Sequence, residues 1–336
     1  MTAETPDLGE FELIERFFLR RQSARGAQSG VILGIGDDAA VLAVPPDAEL
    51  VAAVDTIVAG RHFPQGTDAR SIGHRALAVN LSDIAAMGAI PAWATLALTM
   101  PSVDAAWLAQ FSAGLMDLAE AHGVALVGGD TTRGPLTVSV QVLGHAPRGT
   151  TLRRSGARAG DLLAVTGTLG DAGAGLSFVT TPPAAESRPA ALKLIRRFEY
   201  PTPRVEFGAA ARGIATAAMD LSDGLIGDLP KLARASGLAA HVAVERLPLS
   251  ESMRAAVPEA QARDWALAAG DDYELLLAVP AARLAELEAE ADRLNLMLTP
   301  IGELRAGAGA GAGAGVRWTL NGREFVPGVR GWDHFA

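Results

Sequence analysis

The chain has 336 residues, 49% of them hydrophobic, which is ample for a packed core and long enough to favour two domains over one. Its 29 basic and 38 acidic residues leave a net charge of -9, which works against a broad grip on nucleic acid or on an anionic membrane. Cysteine is absent, so disulfides, thiolate catalysis and Cys-based metal sites are excluded; neither of the two lysines, Lys193 and Lys231, follows a glycine, which excludes a P-loop.

No run approaches 18 apolar residues, and the first twenty residues carry acids where a secretory or transit signal would carry bases. A soluble, cytoplasmic protein is expected. In chain order, "GIGDDAAVL" (Gly34–Leu42) comes first and reads two ways. Gly34, Gly36 and Ala39 satisfy a dinucleotide-binding turn, but Asp37 and Asp38 inside it would repel a pyrophosphate, and the pair alone could equally be a solvated acidic turn.

Short apolar or alternating segments follow as expected strands: Leu50–Asp55, Trp93–Met100, Gly123–Gly129 and Leu136–Gly144. Between them the spacing predicts helices over about 69–87 and over 104–122. On the first, Ile72, Ala76, Val79 and Ala86 form the apolar stripe, and Asp83 falls on it. A carboxylate there is costly unless it is paired or binds a metal, and a helix–helix hydrogen bond would serve as well. Ala146–Asp161 is rich in Pro, Gly and Arg and reads as a connection between domains, which places an N-terminal domain at 1–148 and a C-terminal one at 149–336. The second half repeats the alternation: "DLLAVTG" as strand, "SDGLIGDLPKLARASG" as helix, "YELLLAV" as strand, "AARLAELEAEADRLN" as helix, and a hairpin around Asn321-Gly322. "AGAGAGAGAG" (Ala306–Gly315) is low complexity and reads as a surface loop. The expected class is mixed α/β in two domains, each a mixed sheet with packed helices.

Asp55 and Asp130 each end an expected strand, which would set both on one rim of a sheet. Asp220 and Asp223 sit between a strand and a helix, where Asp223 could simply favour the helix N-terminus. Asp271 and Asp272 precede "YELLLAV". All-oxygen ligands without cysteine suit Mg²⁺, which usually binds a few carboxylates together with substrate phosphates.

The ordered set "GIGDDAAVL", "DTIVAGRHF", "ALAVNLSDIAAMGA", "GGDTTRGPL", "RSGARAGD", "DLSDGL", "GDDYELL" and "GWDHF" resembles the bacterial thiamine-monophosphate kinases over essentially the whole chain. The resemblance implies membership of the superfamily of ATP-using enzymes that includes AIR synthetase, and a homodimer whose N-terminal sheets join. It implies ATP as co-substrate, thiamine monophosphate as acceptor and several Mg²⁺ ions, with a monovalent cation left open. Asp38, Asp55, Asp83, Asp130, Asp220 and Asp223 would hold metal. Gly128, Gly129, Asp130, Arg154 and Ser222 would meet ATP, and His62, Asp271 and Trp332 would meet the thiamine phosphate. No covalent nucleophile is implied.

Alternatives for single residues stay open: a partly buried histidine at His62, a surface ion pair at Arg154, a core anchor at Trp332. The chain departs from the family pattern at Ala53-Val54, usually Ser-Thr, and at Asp271, usually Glu. Related selenophosphate synthetases and hydrogenase-maturation enzymes need cysteine or selenocysteine, which this chain lacks. AIR synthetase is the nearest competing enzyme, and an acidic Ca²⁺-binding scaffold would explain the aspartates but not Arg154 or the glycines.

Overall fold

The structure is a computed structural model that describes residues 12, 15–19, 30–181, 183–307 and 315–332, Glu186 without its side chain. The chain divides into two compact units, Met1–Ile84 with Ile90–Gly149, and Ala85–Ala89 with Thr150–Ala336. Each holds its own mixed arrangement of sheet and helices.

In the first unit a two-stranded ribbon, β1 (Val31–Leu33) and β2 (Val41–Leu42), precedes a four-stranded sheet of β3 (Ala48–Val58), β4 (Ile90–Met100), β5 (Ala125–Arg133) and β6 (Thr137–Pro147) in the order β3-β6-β4-β5. Helices α1 (Ala69–Ala86) and α2 (Ala105–Ala121) supply the buried side chains Ile72, Leu77, Leu81, Phe111 and Leu115. α2 starts where Asp104 accepts the Ala106 and Trp107 N–H groups, a side-chain cap that fixes its first turn. The two helices cross at glycines. A Cβ on Gly73 would lie 2.0 Å from the Phe111 carbonyl oxygen, and one on Gly114 1.9 Å from that of Arg70, so only glycine permits this approach. The ribbon rests on buried Trp93, packed with Val31, Ala40, Leu42 and Val44.

The strands run longer than their sequence pattern predicts. β3 continues three residues past Asp55 and β5 three past Asp130, so both aspartates lie inside strands rather than at their ends. β3 and β5 are also the two edges of the sheet, three strand spacings or roughly 14 Å apart.

The second unit is built on a seven-stranded sheet of β7 (Asp161–Thr166), β8 (Ala217–Asp220), β9 (Leu238–Ala243), β10 (Leu275–Pro280), β11 (Leu298–Ala306), β12 (Val316–Leu320) and β13 (Arg323–Phe325), ordered β13-β12-β9-β11-β7-β10-β8. Its helices are α3 (Asp171–Thr180), α4 (Arg188–Glu199), α5 (Val205–Ala210), α6 (Leu225–Ala235), α7 (Glu251–Ala256), α8 (Glu259–Ala268) and α9 (Leu284–Arg293). Leu163, Val165, Met219, Leu229, Leu276 and Ile301 meet in one core. The β12–β13 hairpin turns at Asn321 and Gly322, both with positive φ, as a two-residue connection of that type requires. β11 and β12 are not a hairpin: both pair with β9, one antiparallel and one parallel, so the Ala/Gly tract joins strands on either side of it. Most of that tract, 308–314, lies outside the described residues.

Candidate active site

The loop 34–40 is followed by a strand, not a helix, so the dinucleotide reading of "GIGDDAAVL" fails for want of a helix N-terminus. Asp37 and Asp38 are instead exposed on the loop, where Asp37 Oδ1 accepts the Asp38 N–H at 2.9 Å. This loop forms one wall of a cavity of about 830 Å³ whose opposite wall is β4 and β5. Asp38, Gly128, Gly129 and Asp130 all line it, with Phe18, Leu19 and Ile35 giving it an apolar side. A space of this size with an apolar flank and converging carboxylates suits a nucleotide-sized ligand.

The two glycines differ in cause. A Cβ on Gly129 would meet the Leu96 carbonyl oxygen at 1.9 Å, so strand packing alone forbids a side chain. On Gly128 a Cβ would touch only the Thr95 methyl, at 4.0 Å. Packing therefore gives no reason for the bare backbone at 128.

Asp55 is tied to α1 through a residue the sequence pattern did not single out. Buried Asn80 on α1 accepts the Asp55 backbone N–H at 2.9 Å and returns its own amide to the Ala76 carbonyl. Asp83 lies three residues on, hence on the same helix face as Asn80. Ala53 shares its strand face with Asp55, while Val54 sits on the opposite, open face and is 63% exposed. Just beyond β3 the chain turns tightly, and His62 Nδ1 accepts the Val58 N–H at 3.0 Å. The ring therefore carries its proton on Nε2.

In the second unit Asp220, Ser222, Asp223, Asp271 and Trp332 come together. β8 ends at Asp220; the chain then stays tied to the 270–274 turn as the Asp271 N–H donates to the Ser222 carbonyl (2.8 Å) and the Tyr273 N–H to the Leu221 carbonyl (2.9 Å). Asp223 does not cap α6, whose N-cap position is Gly224. The holding role belongs to Asp228, whose Oδ2 accepts the Ser222 and Asp223 N–H groups at 3.0 and 2.9 Å. Burial raises the Asp228 pKa, opposed by Lys231. Lys231 Nζ bridges Asp223 Oδ2 (2.6 Å) and Asp228 Oδ1 (2.8 Å), and although burial works against its charge these partners hold it above its ordinary pKa. Gly331 packs on Gly227, and the Trp332 N–H donates to the Asp223 carbonyl at 3.0 Å. Arg154 is exposed; its carbonyl accepts the Ser236 hydroxyl at 3.0 Å, and its neighbour Arg153 accepts the N–H of Ala218 on β8.

Asp271 and Tyr273 both have positive φ, at 61° and 50°. Such backbone persists only where its surroundings over-determine it. Here Glu274, fully buried, binds Arg197 at 2.5 Å, Arg204 and Thr166, and Arg197 also donates to the Asp272 carbonyl. Both Asp272 oxygens accept the Gly170 N–H, and burial raises the Asp272 pKa well above the ordinary carboxylate range. Glu274 and Asp272 are thus scaffold, and "YELLLAV" becomes strand only from Leu275.

Among the described residues no three Asp, Glu or His side chains are gathered as a ready metal cage. The side-chain donors at the cavity are oxygens only, with Glu15, Asp37, Asp38 and Asp130 as its carboxylates, which fits a hard ion that brings its phosphate ligands with it. No helix among the described residues is long and apolar enough to cross a membrane.

Residues 36–146 match the family "AIR synthase related protein, N-terminal domain" and residues 158–313 its "C-terminal domain" counterpart. The chain is 45% identical over 328 residues to the thiamine-monophosphate kinase of Salmonella typhimurium, covering 98% of each. It is similar to the crystal structure of the Stenotrophomonas maltophilia thiamine-monophosphate kinase, with a TM-score of 0.83, 43% identity and coverage of 94% and 98% of the two chains. It is also similar to AaThiL complexed with AMPPCP and TMP, with a TM-score of 0.73, 30% identity and full coverage of both chains. The chain belongs to the thiamine-monophosphate kinase family of AIR synthase-related proteins.

Proposed function

We infer that this chain phosphorylates thiamine monophosphate with ATP, giving thiamine diphosphate in thiamine biosynthesis. The observation that carries the reading is full-length similarity to a kinase captured with both an ATP analogue and thiamine monophosphate. The cavity floored by Gly128 supports it from the side of the geometry.

The acceptor is a phosphate monoester whose second pKa is about 6, so near neutral pH it is already a dianion and needs no general base. The obstacle is repulsion between that dianion and ATP. Asp38, Asp55, Asp83 and Asp130 of the first unit and Asp220 and Asp223 of the second are the carboxylates proposed to hold Mg²⁺. When bound, Mg²⁺ supplies the charge neutralisation that lets the two anions approach. Exposed Arg154 adds a positive charge suited to a phosphate, and Ser222 offers its hydroxyl to the nucleotide. His62, protonated on Nε2, is a neutral donor for the acceptor phosphate. Trp332, 46% exposed, offers its ring to the thiamine cation.

Position 53 has no hydroxyl to give an ion at Asp55, and only backbone carbonyls serve there. Asp271, shorter than the family's glutamate, still reaches Tyr273, whose hydroxyl donates to its Oδ1 at 3.0 Å. The open strand β3, with Leu50 and Val54 exposed at a sheet edge, is the surface proposed to join a second copy. The cytoplasm, where ATP is held, is the proposed compartment.

Direct in-line transfer is the reading favoured, because the candidate aspartates are committed as ligands rather than positioned as nucleophiles. With ATP made chiral at the γ-phosphorus, the thiamine diphosphate formed should show inversion at that centre. Retention would require two displacements and overturn direct transfer.

A further inference from the structure

Lys231 is one of only two lysines in the chain, and it stands on the proposed metal ligand Asp223. Its side chain is 40% exposed, and its ammonium lies 2.6 Å from Asp223 Oδ2 with a second anchor at Asp228 Oδ1. Asp228 is fixed independently by two backbone N–H groups, so Lys231 can let go of Asp223 and remain held. Among the described residues the Asp223 carboxylate pairs with no second cation; its backbone is tied on both sides, by Asp228 at the N–H and by Trp332 at the carbonyl.

We propose that Lys231 is a positioning residue that acts as an internal counter-ion: it occupies Asp223 before a divalent cation arrives and withdraws to Asp228 when the cation binds. The inference rests on reading Asp223 as a metal ligand. Physically it follows from competition. One carboxylate oxygen cannot hold an ammonium at 2.6 Å and a metal ion at coordination distance without bringing two positive charges together. The ammonium therefore weakens binding of an ion at Asp223 and keeps the loop ordered in its absence.

The test is Mn²⁺ binding to the full-length, nucleotide-free protein, followed by electron paramagnetic resonance at fixed ionic strength. Asp223→Asn defines the class of Mn²⁺ sites that depends on this carboxylate. Lys231→Met should tighten that class by about tenfold, because the competing charge is gone; Lys231→Arg, which restores a cation, should return affinity towards the original. If Lys231→Met fails to fold because Asp228 is left buried beside no cation, the double variant Asp228→Asn/Lys231→Met removes the orphaned charge and should show the same tightening. Loss of a site in Asp223→Asn together with unchanged or weaker binding in the lysine variants would overturn the counter-ion role. No loss of any site in Asp223→Asn would overturn the ligand reading beneath it.

Discussion

The Trp332 backbone N–H donates to the Asp223 carbonyl at 3.0 Å, which joins the C-terminal segment to the loop between β8 and α6. The bond belongs to the main chain, so it survives loss of the indole. Trp332→Ala should raise the KM for thiamine monophosphate by about tenfold, through lost contact of the ring with a cationic heterocycle, and leave the KM for ATP nearly unchanged. Deleting residues 331–336 removes the bond as well and should weaken both substrates. Steady-state kinetics on the two variants would show this. Identical behaviour would mean that the main-chain bond contributes nothing.

Gly128 and Gly129 separate packing from function. Gly129→Ala should destabilise the protein by on the order of 3 kcal/mol, because its Cβ would fall on the Leu96 carbonyl oxygen. Gly128→Ala should melt near the parent temperature yet bind ATP far more weakly. Thermal unfolding paired with nucleotide titration distinguishes them, and normal ATP affinity in Gly128→Ala would remove the cavity floor from the site.

Asp272 ties stability to pH. Its folded pKa is raised by burial, with the Gly170 N–H and Arg197 opposing, so the fold favours the neutral acid. That contribution is fully present below the unfolded value near 3.8 and is lost as pH rises through the raised folded value. Asp272→Asn cannot ionise. The melting temperature of this variant relative to the parent should therefore rise as pH climbs from the unfolded value near 3.8 through the raised folded value. A difference independent of pH would show that Asp272 is charged throughout.

Asp130 is exposed, lines the cavity and lies mid-strand in β5. If it holds Mg²⁺, Asp130→Asn should cut turnover by orders of magnitude while folding stays nearly intact, since removing one carboxylate from an acidic surface relieves repulsion. Near-parental turnover at limiting Mg²⁺ would count against the assignment.

Much of the architecture follows from local pattern. The two long helices, the Asn321-Gly322 hairpin and the alternation of elements in the second unit are readable because each is encoded within a dozen neighbouring residues. Strand ends were less legible: a carboxylate at Asp55 and a glycine pair at 128–129 look like stops, yet edge strands tolerate both. The pairing of Lys231 with Asp223 escapes a sequence reading because it links a loop residue to the second turn of the following helix. The Glu274 contacts with Arg197 and Arg204 span 77 and 70 positions, and nothing local announces them. Asn80 hid in plain view, one turn from Asp83, because a buried amide on an apolar stripe attracts less notice than a buried acid.

The placement of β9 between β11 and β12 has a consequence for how the chain could be divided. β12 and β13 hold their place through a parallel ladder with β9, from Val316 opposite Ala240 to Thr319 opposite Ala243, and through buried Trp318 in the core. A polypeptide cut between residues 308 and 314 would keep that ladder. Co-expressed as two pieces, 1–310 and 311–336, the protein should reassemble into a complementing pair, with the shorter fragment delivering Trp332 to the Asp223 loop as a strand-borne part rather than as a covalent tail.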